Sequence, residues 1–171
     1  MPVREALNRL NDKGLVQLTN NKGAAVIKHS LNAVGEVFDL RRLIEFDLLC
    51  RPIPKMITNY FALSNKLVKE MDALYEANNV AKWGDINAKY HCSLYTAENC
   101  KFTDELLKWI SIGADGYVSM LSTLMHQLEL LKDEHQQLLI LAQQQEARWA
   151  CVLLTKHILR AKNELLALIA E

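Results

Sequence analysis

The sequence predicts a mainly α-helical protein, a helical bundle preceded by a short helix and a β-hairpin. Three observations carry that expectation. From residue 30 to the end, apolar residues recur at three- and four-residue spacing, and no alternating strand pattern competes. Six Gly and three Pro are too few for a turn-rich all-β chain. The densest turn-forming stretch, Thr19-Asn20-Asn21-Lys22-Gly23, lies between two short apolar runs near the start and has the composition of a hairpin tip.

The elements follow in order. Pro2 suits the first turn of a helix, where a backbone N–H has no partner to lose. Val3, Ala6, Leu7 and Leu10 give that helix one apolar face, and Gly14 ends it. Leu15, Val16 and Leu18 predict one strand, and residues 25–28 a second. A helix followed by a basic-tipped hairpin is the second half of a winged helix-turn-helix. Ser30 is placed to cap a long helix carrying Val34, Phe38, Ile44 and Leu48, which Pro52 and Pro54 stop. Arg51 and Ile53 precede prolines and are expected to be extended. Ser64 is a candidate cap for the next helix, followed by helices over about 83–97, 103–126, 127–144 and 146–170. No heptad persists long enough for a coiled coil. The expected division is residues 1–28 as part of a DNA reader and 29–171 as a helical body.

The net charge of zero is a sum of unlike parts. Residues 1–30 hold Arg4, Arg9, Lys13, Lys22 and Lys28 against Glu5 and Asp12, so a basic head sits on a mildly acidic body. No apolar run approaches the ~18 residues of a membrane span, and no export signal precedes the first charges. Cys50, Cys92, Cys100 and Cys151 include no C-x-x-C pair, so zinc ribbons and redox dithiols are unsupported. They are expected to be reduced, buried thiols of a cytoplasmic protein.

Asn87 and His91 are i,i+4 on one predicted helix and point the same way. His135 and His157 fall on two later helices, and imidazoles from three helices can converge inside a bundle. Their separations of 44 and 22 residues carry no local metal spacing, so spacing by itself favours core histidines. Arg41 and Glu45, also i,i+4, read by themselves as a surface ion pair worth tenths of a kcal/mol. Trp83, Tyr90, Tyr95 and Trp149 are candidates to line the same interior, although aromatics at helical spacing are more often core. His29 and His126 are assigned no role.

Several stretches together resemble a family. Pro2-Val-Arg-Glu-Ala-Leu-Asn-Arg-Leu10, Lys13-Gly-Leu-Val16 and Asn21-Lys-Gly-Ala-Ala-Val26 look like the recognition helix and wing of GntR-type bacterial regulators. Phe38-Asp-Leu-Arg-Arg-Leu-Ile-Glu45, Tyr90-His91 with Asn99, Glu134-His135, and Ala150 with His157 look like the FCD effector domain of their FadR-like subfamily. The resemblance implies an all-helical effector bundle preceded by a partial winged helix-turn-helix. Family members carry two further helices before the Pro-Val-Arg-Glu-Ala-Leu stretch, so the DNA reader here is expected to be incomplete and its DNA binding impaired.

The same resemblance implies the site. Metal-binding members use an Asp-x3-His pair and two later histidines. His91, His135 and His157 match, while Asn87 stands where Asp is usual. An amide oxygen can coordinate but brings no charge, so a divalent transition metal, zinc or nickel ahead of manganese, is expected. Arg41 matches the arginine that faces the effector cavity, where a guanidinium would grip a small carboxylate. Arg4 matches a DNA-contacting arginine, and Lys22 and Gly23 sit at the wing tip. The implied function is a ligand-responsive transcriptional regulator, a homodimer that binds operator DNA and a carboxylate effector, with no membrane partner and no catalytic residue. Two other functions are weighed against it. One is a metal-dependent hydrolase-type enzyme, since three histidines with open positions can activate water. The other is a structural dimerisation partner of a full-length paralogue.

Overall fold

The computed structural model describes residues 2–12, 16–19, 23–26, 30–77, 79–95, 100–103, 105–107, 109–110 and 128–170. In chain order the named elements are α1 (Pro2–Asp12), β1 (Val16–Thr19), β2 (Gly23–Val26), α2 (Leu31–Cys50), α3 (Ala62–Glu76), α4 (Val80–Tyr95), α5 (Leu128–Gln143) and α6 (Ala147–Ala170). The mainly helical fold with a small two-stranded sheet is the one expected from the sequence.

The hairpin is antiparallel, pairing Val16 with Val26 and Thr19 with Gly23. Its second strand begins two residues earlier than the sequence pattern suggests. Gly23 is therefore a ladder residue rather than part of the tip, and its φ of +88° is one that glycine adopts without a Cβ penalty. Asn11 at the end of α1 accepts a hydrogen bond from the Leu18 N–H through Oδ1, at 3.1 Å, and ties helix to strand. Val16 is buried, while Val3, Leu10 and Leu18 are exposed.

In the body, Ser30 caps α2 as expected, its Oγ accepting from the Ala33 N–H at 3.2 Å. α2 packs chiefly on α6, α3 on α4, and α5 on both α6 and α3. Gly35 lets the Lys162 stem cross α2 closely, and Lys162 Nζ reaches both Asp39 carboxylate oxygens at 2.7 Å. The core is continuous from Val34 and Phe38 of α2 through Met71, Tyr90, Leu138 and Leu154.

Four local expectations are corrected. Arg51 is right-handed helical rather than extended, because its N–H closes the last turn of α2 on Asp47 and its guanidinium pairs with the Asp47 carboxylate at 2.7 Å. Ile53 lies in a 3-10 turn, Ile53–Lys55, which carries its side chain into the core. Ser64 is no cap: it is buried within α3, and its Oγ bonds Ser93 Oγ of α4 at 2.7 Å. The cysteines are not four separate buried thiols. Cys50 and Cys151 are disulfide-paired across α2 and α6, with Cα atoms 6.0 Å apart, because the packing of those helices sets them opposite each other, and Cys92 is exposed. Most of the helix expected over 103–126 falls outside the described residues, as do Gly14, His29, Asn99 and His126. Among the described residues no helix is long and apolar enough to cross a membrane.

Candidate metal centre

Three helices each contribute one imidazole to a common point: His91 from α4, His135 from α5 and His157 from α6. All three are buried. They reach inward because each occupies the apolar stripe of its helix, where Leu94, Leu138 and Leu154 also lie. One ligand atom from each can be chosen so that all lie within 4.8 Å of one another. The ring centroids are 4.8–5.2 Å apart.

The donor set fits a transition-metal ion. His91 Nε2 and His135 Nε2 are 3.3 Å apart. Two nitrogens each about 2.0–2.1 Å from a tetrahedral zinc would be separated by about 3.3 Å. Burial holds the His91 imidazolium well below the ordinary value of 6.5, and His157, His135 and Arg41 lower it further by charge repulsion. His91 is accordingly neutral, the form that ligates metals. Asn87, one turn before His91, is buried, and its Oδ1 has no hydrogen-bond partner among the described residues. An acceptor oxygen left so is costly unless something else binds it. Three buried histidines thus could form a metal site, with Asn87 available on the same helix.

Around the histidines stands a polar shell that sequence reasoning largely missed. Arg41 and Glu45 are not a surface pair. Both are buried, Arg41 Nε donates to Glu45 Oε1 at 2.7 Å, and the guanidinium lies 5.4 Å over the Phe38 ring. The i,i+4 spacing predicted the pairing; only the packing of α2 on α4 and α6 removed it from water. Tyr95 of α4 donates to the other Glu45 oxygen at 2.5 Å, and its phenol is pushed well up by burial, then by the Glu45 charge. Tyr90 packs edge-on against His91 and His135 and donates to the His135 carbonyl at 2.7 Å. Glu134, next to His135 in sequence, does not enter the centre with it. It crosses to α6, where His157 Nδ1 lies 2.8 Å from its Oε2. The sequence signal was the Glu-His pair itself, but only the α5–α6 contact says which imidazole the carboxylate meets.

The remaining candidates are scattered, and Asp85, two residues before Asn87 on α4, is no substitute ligand: it faces outward and pairs with Lys89. Trp83 is 6.0 Å from His135 between ring centroids, whereas Trp149 is exposed and carries Arg148 against its face. In the head, Arg4 is exposed on α1 and Gly23 opens β2; Lys22 lies outside the described residues.

The FCD domain family model matches residues 36–160, which include Arg41, Asn87 and all three histidines. The chain belongs to the FCD-domain family. Solved structures agree with that fold. A Rhodococcus sp. RHA1 protein described as a GntR transcriptional regulator superposes with a TM-score of 0.83 at 18% identity, over 96% of this chain and 79% of its own. A GntR-family transcriptional regulator from Pseudomonas syringae pv. tomato DC3000 gives 0.69 at 23% identity, over 99% and 70%. E. coli McbR/YncC gives 0.83 at 15% identity, over 96% and 83%. None of the curated proteins compared with the chain matches it. Because the superpositions cover nearly the whole chain, α1 and the hairpin belong to the shared fold as well as the FCD domain.

Proposed function

We propose that this protein is a ligand-responsive transcriptional regulator of the GntR type, whose FCD domain binds a small carboxylate effector at a divalent metal. The observation that carries this reading is the convergence of three buried histidines from three helices at the centre of a domain family otherwise built as a packed bundle. His91, His135 and His157 would hold the ion, with Asn87 Oδ1 as a neutral fourth ligand. The bound ion would supply an electrophilic centre for the oxygens of a hydroxy acid or sugar acid. Arg41, buried beside His91, would add a cation for the effector's carboxylate. A donor set of three imidazoles and an amide favours zinc or nickel over manganese, because imidazole suits late transition metals and no ligand carries charge.

Regulation would follow from population shift. An effector that binds one arrangement of a homodimer better than another changes the spacing of its DNA readers. In the reader, exposed Arg4 on α1 and the wing residues Lys22 and Gly23 would contact DNA. The chain as described is expected to bind an operator weakly, since α1 exposes Val3 and Leu10 instead of packing them. An enzymatic role is the weaker reading. Both carboxylates nearest the histidines are already engaged, Glu45 by Arg41 and Tyr95, and Glu134 by His157 and Arg160. Neither is poised as a general base for a metal-bound water.

The test is metal analysis of the native protein with thermal-shift titration of hydroxy acids and sugar acids. Metal bound at a hundred times its Kd should stabilise the fold by about 2.7 kcal/mol, and His91→Ala should abolish that part. Stability and ligand affinity that both survive chelation unchanged would refute the metal site.

A further inference from the structure

We propose that Glu134 and Arg160 form a positioning pair that selects the Nδ1–H tautomer of His157 and so aims its Nε2 lone pair at the three-histidine centre. The inference rests on the metal-site reading above, and it concerns residues that do not touch the ion. Successive residues of α5 point about 100° apart around the helix. His135 therefore enters the centre while Glu134 leans toward α6. There it meets His157 and Arg160, which share a face at i,i+3. His157 Nδ1 lies 2.8 Å from Glu134 Oε2, and Arg160 Nη2 donates to the same oxygen at 2.5 Å. Arg160 Nε is also 3.7 Å from Glu164 Oε1.

A carboxylate only accepts, so the imidazole nitrogen it meets must carry the hydrogen. A neutral ring then has its lone pair on Nε2, the atom left to face the other two histidines. Arg160 keeps the carboxylate from swinging away, because Oε2 is held from two directions at once. His91 is the internal contrast. Its Nδ1 is 3.8 Å from Glu45 Oε2, beyond hydrogen-bonding distance, and it has no hydrogen-bond partner among the described residues. Of these two rings, His157 is the one with an assigned tautomer, and it should contribute a preorganised ligand.

The experiment is long-range proton–nitrogen NMR of histidine-labelled, metal-free protein at mildly alkaline pH, with zinc affinity measured by chelator competition. In the wild type His157 is expected as the Nδ1–H tautomer. Glu134→Ala should turn it into a mixture and weaken zinc binding by about 10–100-fold. Glu134→Gln keeps an acceptor oxygen at the same reach and should restore the tautomer and much of the affinity. An Nε2–H tautomer in the wild type, or unchanged zinc affinity in Glu134→Ala, overturns the proposal. The wild-type spectrum decides even if the alanine variant does not fold. A wild type that shows the Nδ1–H tautomer yet binds no zinc defeats the metal reading while leaving Glu134's control of the ring in place.

Discussion

The head and the body of this chain are built from similar elements and use them in opposite ways. α1 is an amphipathic helix whose apolar Val3 and Leu10 face water, and its close partner is a two-stranded hairpin. α2 to α6 turn their apolar stripes into one core and carry charged and imidazole groups inside with them. Burial makes the difference to chemistry. Arg4 on α1 is an exposed cation, suited to contact with a polyanion. Arg41 on α2 is a cation held in one orientation by a buried carboxylate, and burial lowers the pKa of the His91 imidazole beside it. The same residue types therefore serve a surface in one region and a site in the other.

Three measurements would sharpen or break that contrast. The largest effect is expected from Glu45→Ala. It strips the buried Arg41 of its carboxylate and the Tyr95 hydroxyl of its acceptor, and should cost about 3–5 kcal/mol in urea unfolding. A loss below 1 kcal/mol would mean that the pair is solvated after all. Next comes pH. His91 has a folded pKa below its unfolded value, so the folded state binds fewer protons in that interval. Its contribution is complete above about pH 6.5 and is lost as pH falls, by up to about 1.4 kcal/mol per pH unit. Urea melts in the presence of a chelator should show this slope, and His91→Gln should flatten it. The smallest effect is expected in the head, where Val3→Ala should change stability by less than about 0.5 kcal/mol. A loss of 2 kcal/mol there would show that another surface covers α1 in solution.

Much of the site was legible before any coordinates. His91, His135 and His157 were singled out through their match to a family pattern, and they do converge. Spacing could not have shown this, because residues separated by 44 and 22 positions meet only after three helices have packed. Asn87 was placed correctly on the His91 face by helical periodicity, and its unsatisfied oxygen is a tertiary fact. Glu45 was underestimated for a physical reason. An i,i+4 pair looks identical in sequence whether its face meets water or another helix. Glu134 shows the same limit, since helical geometry turns it away from His135 while the identity of its partner depends on α6.

What the sequence by itself determined was local and periodic: helices where apolar residues recur every three or four positions, a cap at Ser30, a hairpin formed by two short apolar runs, and a basic head beside an acidic body. These follow from backbone hydrogen bonding and side-chain spacing within a few residues. What only the tertiary structure decided was which faces lost contact with water. Desolvation made the Arg41–Glu45 pair a buried fixture, held the His91 imidazole neutral, set Cys50 against Cys151, and brought Glu134 to His157. A group's chemistry depends on the dielectric and the partners around it, and the chain alone specifies neither until its helices are packed.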